Sequence, residues 1–197
     1  MPRPAKHSVD VMLDGARDLI FEGGAAAVTA VEVARAIGAP SGSIYHRFPR
    51  RDDLVAATWL RAQDRFATSF RAASASEEEP AVAAAVSVIT WTQRNPADAA
   101  VLLRNSLGEL LRGDVSPALA ARARAGRASV KRVLKELAAH HAVSLSDVTV
   151  AVVDLPYGVV RRTMESGRKP TRAEVDAVRR AVRLLVAERG AVDRSPA

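Results

Sequence analysis

The 197-residue sequence contains no cysteine, which excludes disulfides, thiolate metal sites and a cysteine nucleophile. Aromatic residues make up only 4%, while alanine and valine are abundant, so a glycine- and aromatic-rich β-barrel is not expected. No apolar run approaches the ~20 residues needed to cross a bilayer. The basic opening Met1-Pro2-Arg3-Pro4-Ala5-Lys6-His7 is not followed by the apolar stretch of a secretory signal. A cytoplasmic chain without a membrane segment is expected. Also missing are a glycine-rich phosphate loop, a Ser-His-Asp arrangement and a paired-carboxylate cluster. Neither an enzyme nor a cofactor is therefore anticipated. Glu136, His140 and His141 begin a metal-like spacing that nothing nearby completes, so no metal site is expected.

What is present is ordinary for a folded chain: 48% hydrophobic and 26% charged residues. The formal charge is +7, which favours a polyanionic partner such as DNA. Its distribution qualifies that reading. The first 60 residues hold seven basic and seven acidic side chains, so the excess lies entirely downstream.

Nearly every segment carries helical periodicity. Val9, Met12, Ala16, Leu19 and Ile20 form one apolar stripe, with Ser8 as cap and Gly23-Gly24 as stop. Asp10, Asp14, Asp18 and Glu22 line the opposite face and read as a solvated edge. Thr29 can cap a second helix ending at Ile37, Gly38-Ala39-Pro40 breaks it, and a third short helix covers about 41–48. A long helix runs from about residue 52 past Phe66, a polar hinge covers 73–80, and helices are predicted over 80–94, 97–112, 117–141, 146–166 and 171–188. Pro156 falls inside the 146–166 helix, where a kink or break is expected because proline removes a backbone bond. Val175, Val178, Val182 and Leu185 form an apolar stripe on the last helix. With the helix before it, that stripe is expected to make a dimer interface.

Two short helices joined by a glycine-containing turn match a helix-turn-helix. In that unit the second helix enters the major groove, and Ser41, Gly42 and Ser43 keep it thin. The run Val28-Thr29, Val33 to Phe48 and Leu54 resembles the tetracycline-repressor (TetR) family. Its Gly-x-x-x-Gly-x-x-Tyr-x-x-Phe core spans Gly38 to Phe48, and the resemblance covers about residues 8–60. Position 40, usually Ser in the family, is Pro here; this suits a helix start but removes a hydroxyl.

The resemblance implies an all-α fold: a three-helix DNA-binding domain over 1–55, then a helical effector-binding and dimerisation domain over 56–197. It implies a homodimeric DNA-binding regulator, usually a repressor, released from operator DNA by a small-molecule effector. Carried onto this sequence, Thr29 and Tyr45 would touch phosphates, Ser41, Gly42, Ser43 and His46 would face bases, and Arg51 would hold the DNA backbone. Positions 41–43 lack the Arg, Asn or Gln that best read guanine or adenine, so DNA shape is expected to contribute. Trp91, Leu107, Asp154 and Tyr157 lie on central helices and are candidates for the effector pocket, with core packing as the alternative for each. An architectural DNA binder without effector control and, further off, an all-helical enzyme are the competing classes.

Overall fold

A computed structural model describes residues 8–103 and 106–187. They fold into helices: α1 (Val9–Gly23), a 3-10 turn (Ala25–Ala27), α2 (Ala30–Ile37), α3 (Ser41–Arg47), α4 (Arg51–Ser74), α5 (Pro80–Arg94), α6 (Pro96–Leu103), α7 (Leu107–Leu110), α8 (Pro117–His140), α9 (Leu145–Thr149), a π-helical turn (Val150–Asp154), α10 (Leu155–Glu165) and α11 (Arg172–Val186). The chain divides into two compact units, the first comprising the part through Arg65 together with Asn95–Gly126, the second Phe66–Arg94 together with the part from Arg127 onward.

In the first unit the capping chemistry matches the sequence. Ser8 Oγ accepts from Val11 N–H at 3.3 Å and Thr29 Oγ1 from Glu32 N–H at 3.1 Å, each satisfying an orphan donor of a first turn. Gly38 closes α2 at φ 63°, ψ 37°, a left-handed conformation that other residues enter only at a cost. Its successor Ala39 donates back to Ala34 O at 2.9 Å. The core gathers Met12, Ala16 and Ile20 of α1, Val33 and Ala34 of α2, Ile44 of α3, and Leu54 and Val55 of α4. α1 and α2 approach closely at Gly15, where a Cβ would stand 2.7 Å from Ile37 Cγ2.

The acidic edge of α1 is more than a solvated face. Arg61, itself buried, donates to Asp10 O at 2.9 Å and to Asp14 Oδ1 at 2.7 Å, while Arg17 pairs with Asp14 and Asp18. The single helix expected over 97–112 is two: α6 ends at Leu103 and α7 is one separate turn. Ser106 starts α7 with a capping box, accepting from Glu109 N–H while the Glu109 carboxylate accepts from Ser106 N–H at 2.6 Å. That Ser-x-x-Glu pattern marks a helix start, and it outweighed the leucine periodicity running through it.

In the second unit α5 is the central helix, packed by α10, α11 and the π-helical turn. Pro156 is buried and sits at the start of α10, directly after that π turn. Thr149, Val150, Asp154 and Leu155 keep right-handed helical angles, and the interruption expected at Pro156 takes the form of widened turns in front of it. The stripe on α11 is also reassigned. Val178 and Val182 are buried at 4% and 0% exposure within the chain, and α11 lies against α5. They are core residues.

A second capping box starts α11: Thr171 Oγ1 accepts from Glu174 N–H at 3.2 Å and Glu174 accepts from Thr171 N–H at 2.9 Å. The Arg168 guanidinium, then Thr171 N–H, hold the Glu174 carboxyl well below the usual carboxylate range. A depressed folded-state pKa contributes stability that is fully present above the unfolded value, about 4.3, and is lost as pH falls through the folded value. Glu174→Gln is therefore expected to lower the melting temperature at pH 7 and to shrink the difference between melts at pH 7 and pH 3, measured by circular dichroism.

Candidate nucleic-acid interface

α3 is seven residues long and is fixed to its domain chiefly by Ile44, which is fully buried. With Ile44 inward, Ser41, Gly42, Tyr45 and His46 come to one face and all are exposed, Tyr45 at 52%. Ser43 is half-buried on the flank, with its N–H donating to Pro40 O at 3.0 Å. Phe48 packs against the core. Thr29 is exposed at the start of α2, its hydroxyl already accepting the capping bond. The helix pair thus presents a shallow, small-residue ridge with one phenol and one imidazole, held at a left-handed turn.

Arg51 does not join that ridge. Its side chain is 17% exposed. Its Nε donates to Val28 O at 3.1 Å, its Nη1 to Leu110 O at 3.2 Å and to Asp52 at 2.6 Å, and its Nη2 to Ala25 O. Four oxygens therefore occupy the guanidinium that the family resemblance assigned to a phosphate. Sequence reasoning also missed its neighbours. Asp52 Oδ2 accepts from Arg112 N–H and Gly113 N–H at 2.9 and 2.7 Å, and Asp53 accepts from Ser116 N–H at 2.7 Å and from Arg50. The Arg-Arg-Asp-Asp run at the start of α4 ties the 110–116 segment to the base of the helix-turn-helix. The available signal was two aspartates in a helix first turn, where carboxylates are favoured.

The effector candidates fall in different places. Trp91 is buried on α5, its ring edge-on to Phe66 at 5.2 Å. Tyr157 is half-buried on α10 and Asp154 is exposed at the end of the π turn. These three share the second unit, whereas Leu107 is on α7 in the first. His140 and His141 meet edge-to-face at 4.8 Å, and burial, then His140, push the His141 imidazole pKa down. Among the described residues no group of three or more His, Asp or Glu could hold a metal. No single described helix is long and apolar enough to cross a membrane.

Residues 12–58 match the bacterial regulatory proteins of the tetR family, the same segment that builds α1, the helix-turn-helix and the start of α4. The match assigns that N-terminal segment to the tetR-family DNA-binding domain. No curated protein matches it by sequence. Among solved structures it is similar to a TetR family transcription regulator from Marinobacter aquaeolei VT8, with TM-score 0.69, 13% identity, and 92% of this chain and 96% of that one covered. It is similar to the fatty acid degradation regulator FadR from Bacillus halodurans, with TM-score 0.67, 18% identity, and coverage of 94% and 100%. It also matches the multidrug binding protein EbrR complexed with ethidium, with TM-score 0.65, 21% identity, and coverage of 91% and 99%. These likenesses extend the fold assignment beyond the tetR-family N-terminal domain over most of the chain.

Proposed function

We propose that this tetR-family regulator is a cytoplasmic, homodimeric repressor that leaves its operator when a small molecule binds its second helical domain. The observation that carries the DNA reading is the exposed face of α3, with Ser41, Gly42, Tyr45 and His46 on one side and Ile44 anchoring the other. Thr29 and Tyr45 serve as phosphate contacts, and Ser41, Gly42 and His46 as base-facing positions with Ser43 at their edge. Functionally the DNA-binding domain ends near residue 55, within α4.

A symmetric operator calls for a symmetric protein, and two recognition helices must stand ~34 Å apart to enter successive major grooves. The second copy is placed on the outer side of α10 and α11, where Leu184 is 79% exposed. An effector that binds a wrongly spaced state more tightly shifts the population off DNA, and operator DNA weakens effector binding by the same factor. Trp91, Asp154 and Tyr157 are the proposed effector residues, combining an aromatic wall with two polar groups beside a π-helical turn, a feature common at functional sites. Ethidium, bound by EbrR, is a first probe.

Selection of bound fragments from genomic DNA is expected to return an inverted repeat. Tyr45→Ala and His46→Ala should each weaken binding to that repeat, and His46→Ala should relax preference at one position per half-site. Failure of the wild-type chain to enrich any sequence would reject the regulator reading.

A further inference from the structure

The helix-turn-helix carries almost no free positive charge. Within the described residues through position 60, Arg17 pairs with Asp14 and Asp18, Arg35 with Glu32, Arg50 with Asp53 and Arg51 with Asp52. Arg47 is the one described cation there without a carboxylate partner. A duplex binder relies on released counterions for much of its affinity, and this recognition unit offers few.

A cluster of cations without carboxylate partners lies on α8. Arg127, Lys131, Arg132 and Lys135 are all exposed, and none pairs with a carboxylate among the described residues. At 100° and 1.5 Å per residue, Arg127, Lys131 and Lys135 fall within an arc of about 80° over ~12 Å, with Arg132 about 60° further round. The adjoining face is core: Val133, Leu134, Leu137 and Ala138 are buried. Exposed apolar residues on this stretch are confined to Ala128 and Ala139, so it lacks the Trp, Phe or Leu with which a helix enters a membrane surface. Glu136 is its one carboxylate and lies beyond Arg132 from the strip.

We infer that this face of α8 is a second, sequence-independent contact for duplex DNA, taking phosphates through Arg127, Lys131, Arg132 and Lys135. A bare cationic strip with no apolar centre fits a polyanion of regular charge spacing. It does not fit a protein interface, whose core excludes charge. The inference rests on the DNA-binding reading and adds to it the non-specific part of the affinity that the neutral recognition unit does not supply.

The test uses the full chain with Arg127→Gln, Lys131→Gln, Arg132→Gln and Lys135→Gln combined. Its companion swaps Arg and Lys at the same four positions and so keeps the charge. Binding to a mixed-sequence 40-bp duplex is followed by anisotropy across a potassium chloride series. The Gln variant should lose about three to four from the slope of log affinity against log salt per protomer, while the charge-keeping variant retains the wild-type slope. Coincident slopes for the Gln variant and wild type overturn the inference, as does an equal loss in the charge-keeping variant. Coincident slopes with a dissociated dimer in sedimentation would assign the strip to subunit contact instead. Should the fourfold variant unfold, Lys131→Gln alone is expected to lower the slope by about one. The mixed duplex does not depend on sequence preference. Wild-type binding with unchanged variant slopes fails the strip alone, whereas no wild-type affinity for any duplex fails the DNA reading itself.

Discussion

Arg51→Ala is expected to destabilise the chain by about 3–5 kcal/mol, the usual loss when one partner of a buried pair is removed. In a chain of this size that corresponds to a fall in melting temperature of about 10 °C. The substitution removes the guanidinium from Val28 O and Leu110 O, leaves Ala25 O with only the Val28 N–H, and leaves Asp52 without its cation. Asp52 still holds two amides of the 112–113 turn, so a carboxylate at 11% exposure is left charged and only partly compensated. Arg51→Lys should recover little, because an ammonium lacks the forked guanidinium that reaches acceptors from separate elements. DNA binding should fall with the folded fraction, and the salt slope of the folded remainder should stay at the wild-type value. The phosphate role implied by the family resemblance predicts the opposite pair of results: a slope lowered by about one with the melting temperature intact. Thermal melts and a salt series on the same preparation separate the two.

The first 60 residues were legible because several independent signals agreed at each boundary. Ser8 and Thr29 cap the helices they precede, Gly38 takes the left-handed angle its turn needs, and Ile44 buries as its spacing demands. Exposure along α3 was legible too, apart from Ser43, which sits on the flank and not on the outer face. What could not be read was where long side chains end. Arg51 and an arginine aimed at a phosphate look alike in sequence. Only the fold brings the carbonyls of residues 25, 28 and 110 around one guanidinium. The 97–112 stretch failed differently: its leucines keep helical spacing across Ser106, and the capping box was read over. At Pro156 the lost hydrogen bond was foreseen, but its local answer, widened turns from Val150 to Asp154, depends on packing against α5. The α11 stripe shows the same limit, since an apolar face is required equally for a core and for a partner.

That last ambiguity gives the second large effect. Val178→Asp together with Val182→Asp is expected to unfold the second unit outright, because both side chains are buried within the chain, on a helix that packs chiefly on α5. An ionised carboxylate placed there without a partner costs far more than the few kcal/mol lost with the valine methyls. The expected signature is loss of helical circular dichroism and aggregation, not a clean monomer. Leu184→Asp differs in kind. At 79% exposure Leu184 contributes little to the folded monomer, and surface changes of this sort usually stay within about 0.5 kcal/mol. If the homodimer forms on the outer side of α10 and α11, a charge at Leu184 faces its own symmetry mate near the two-fold axis, where like charges repel and desolvate together. Sedimentation should then show a folded monomer with a near-native melting profile, and binding to an inverted-repeat operator should collapse while weak half-site binding persists. A Leu184→Asp chain that sediments as a dimer of undiminished affinity would move the interface off this face. A well-folded monomer from the double valine variant would reverse the assignment of the stripe to the core.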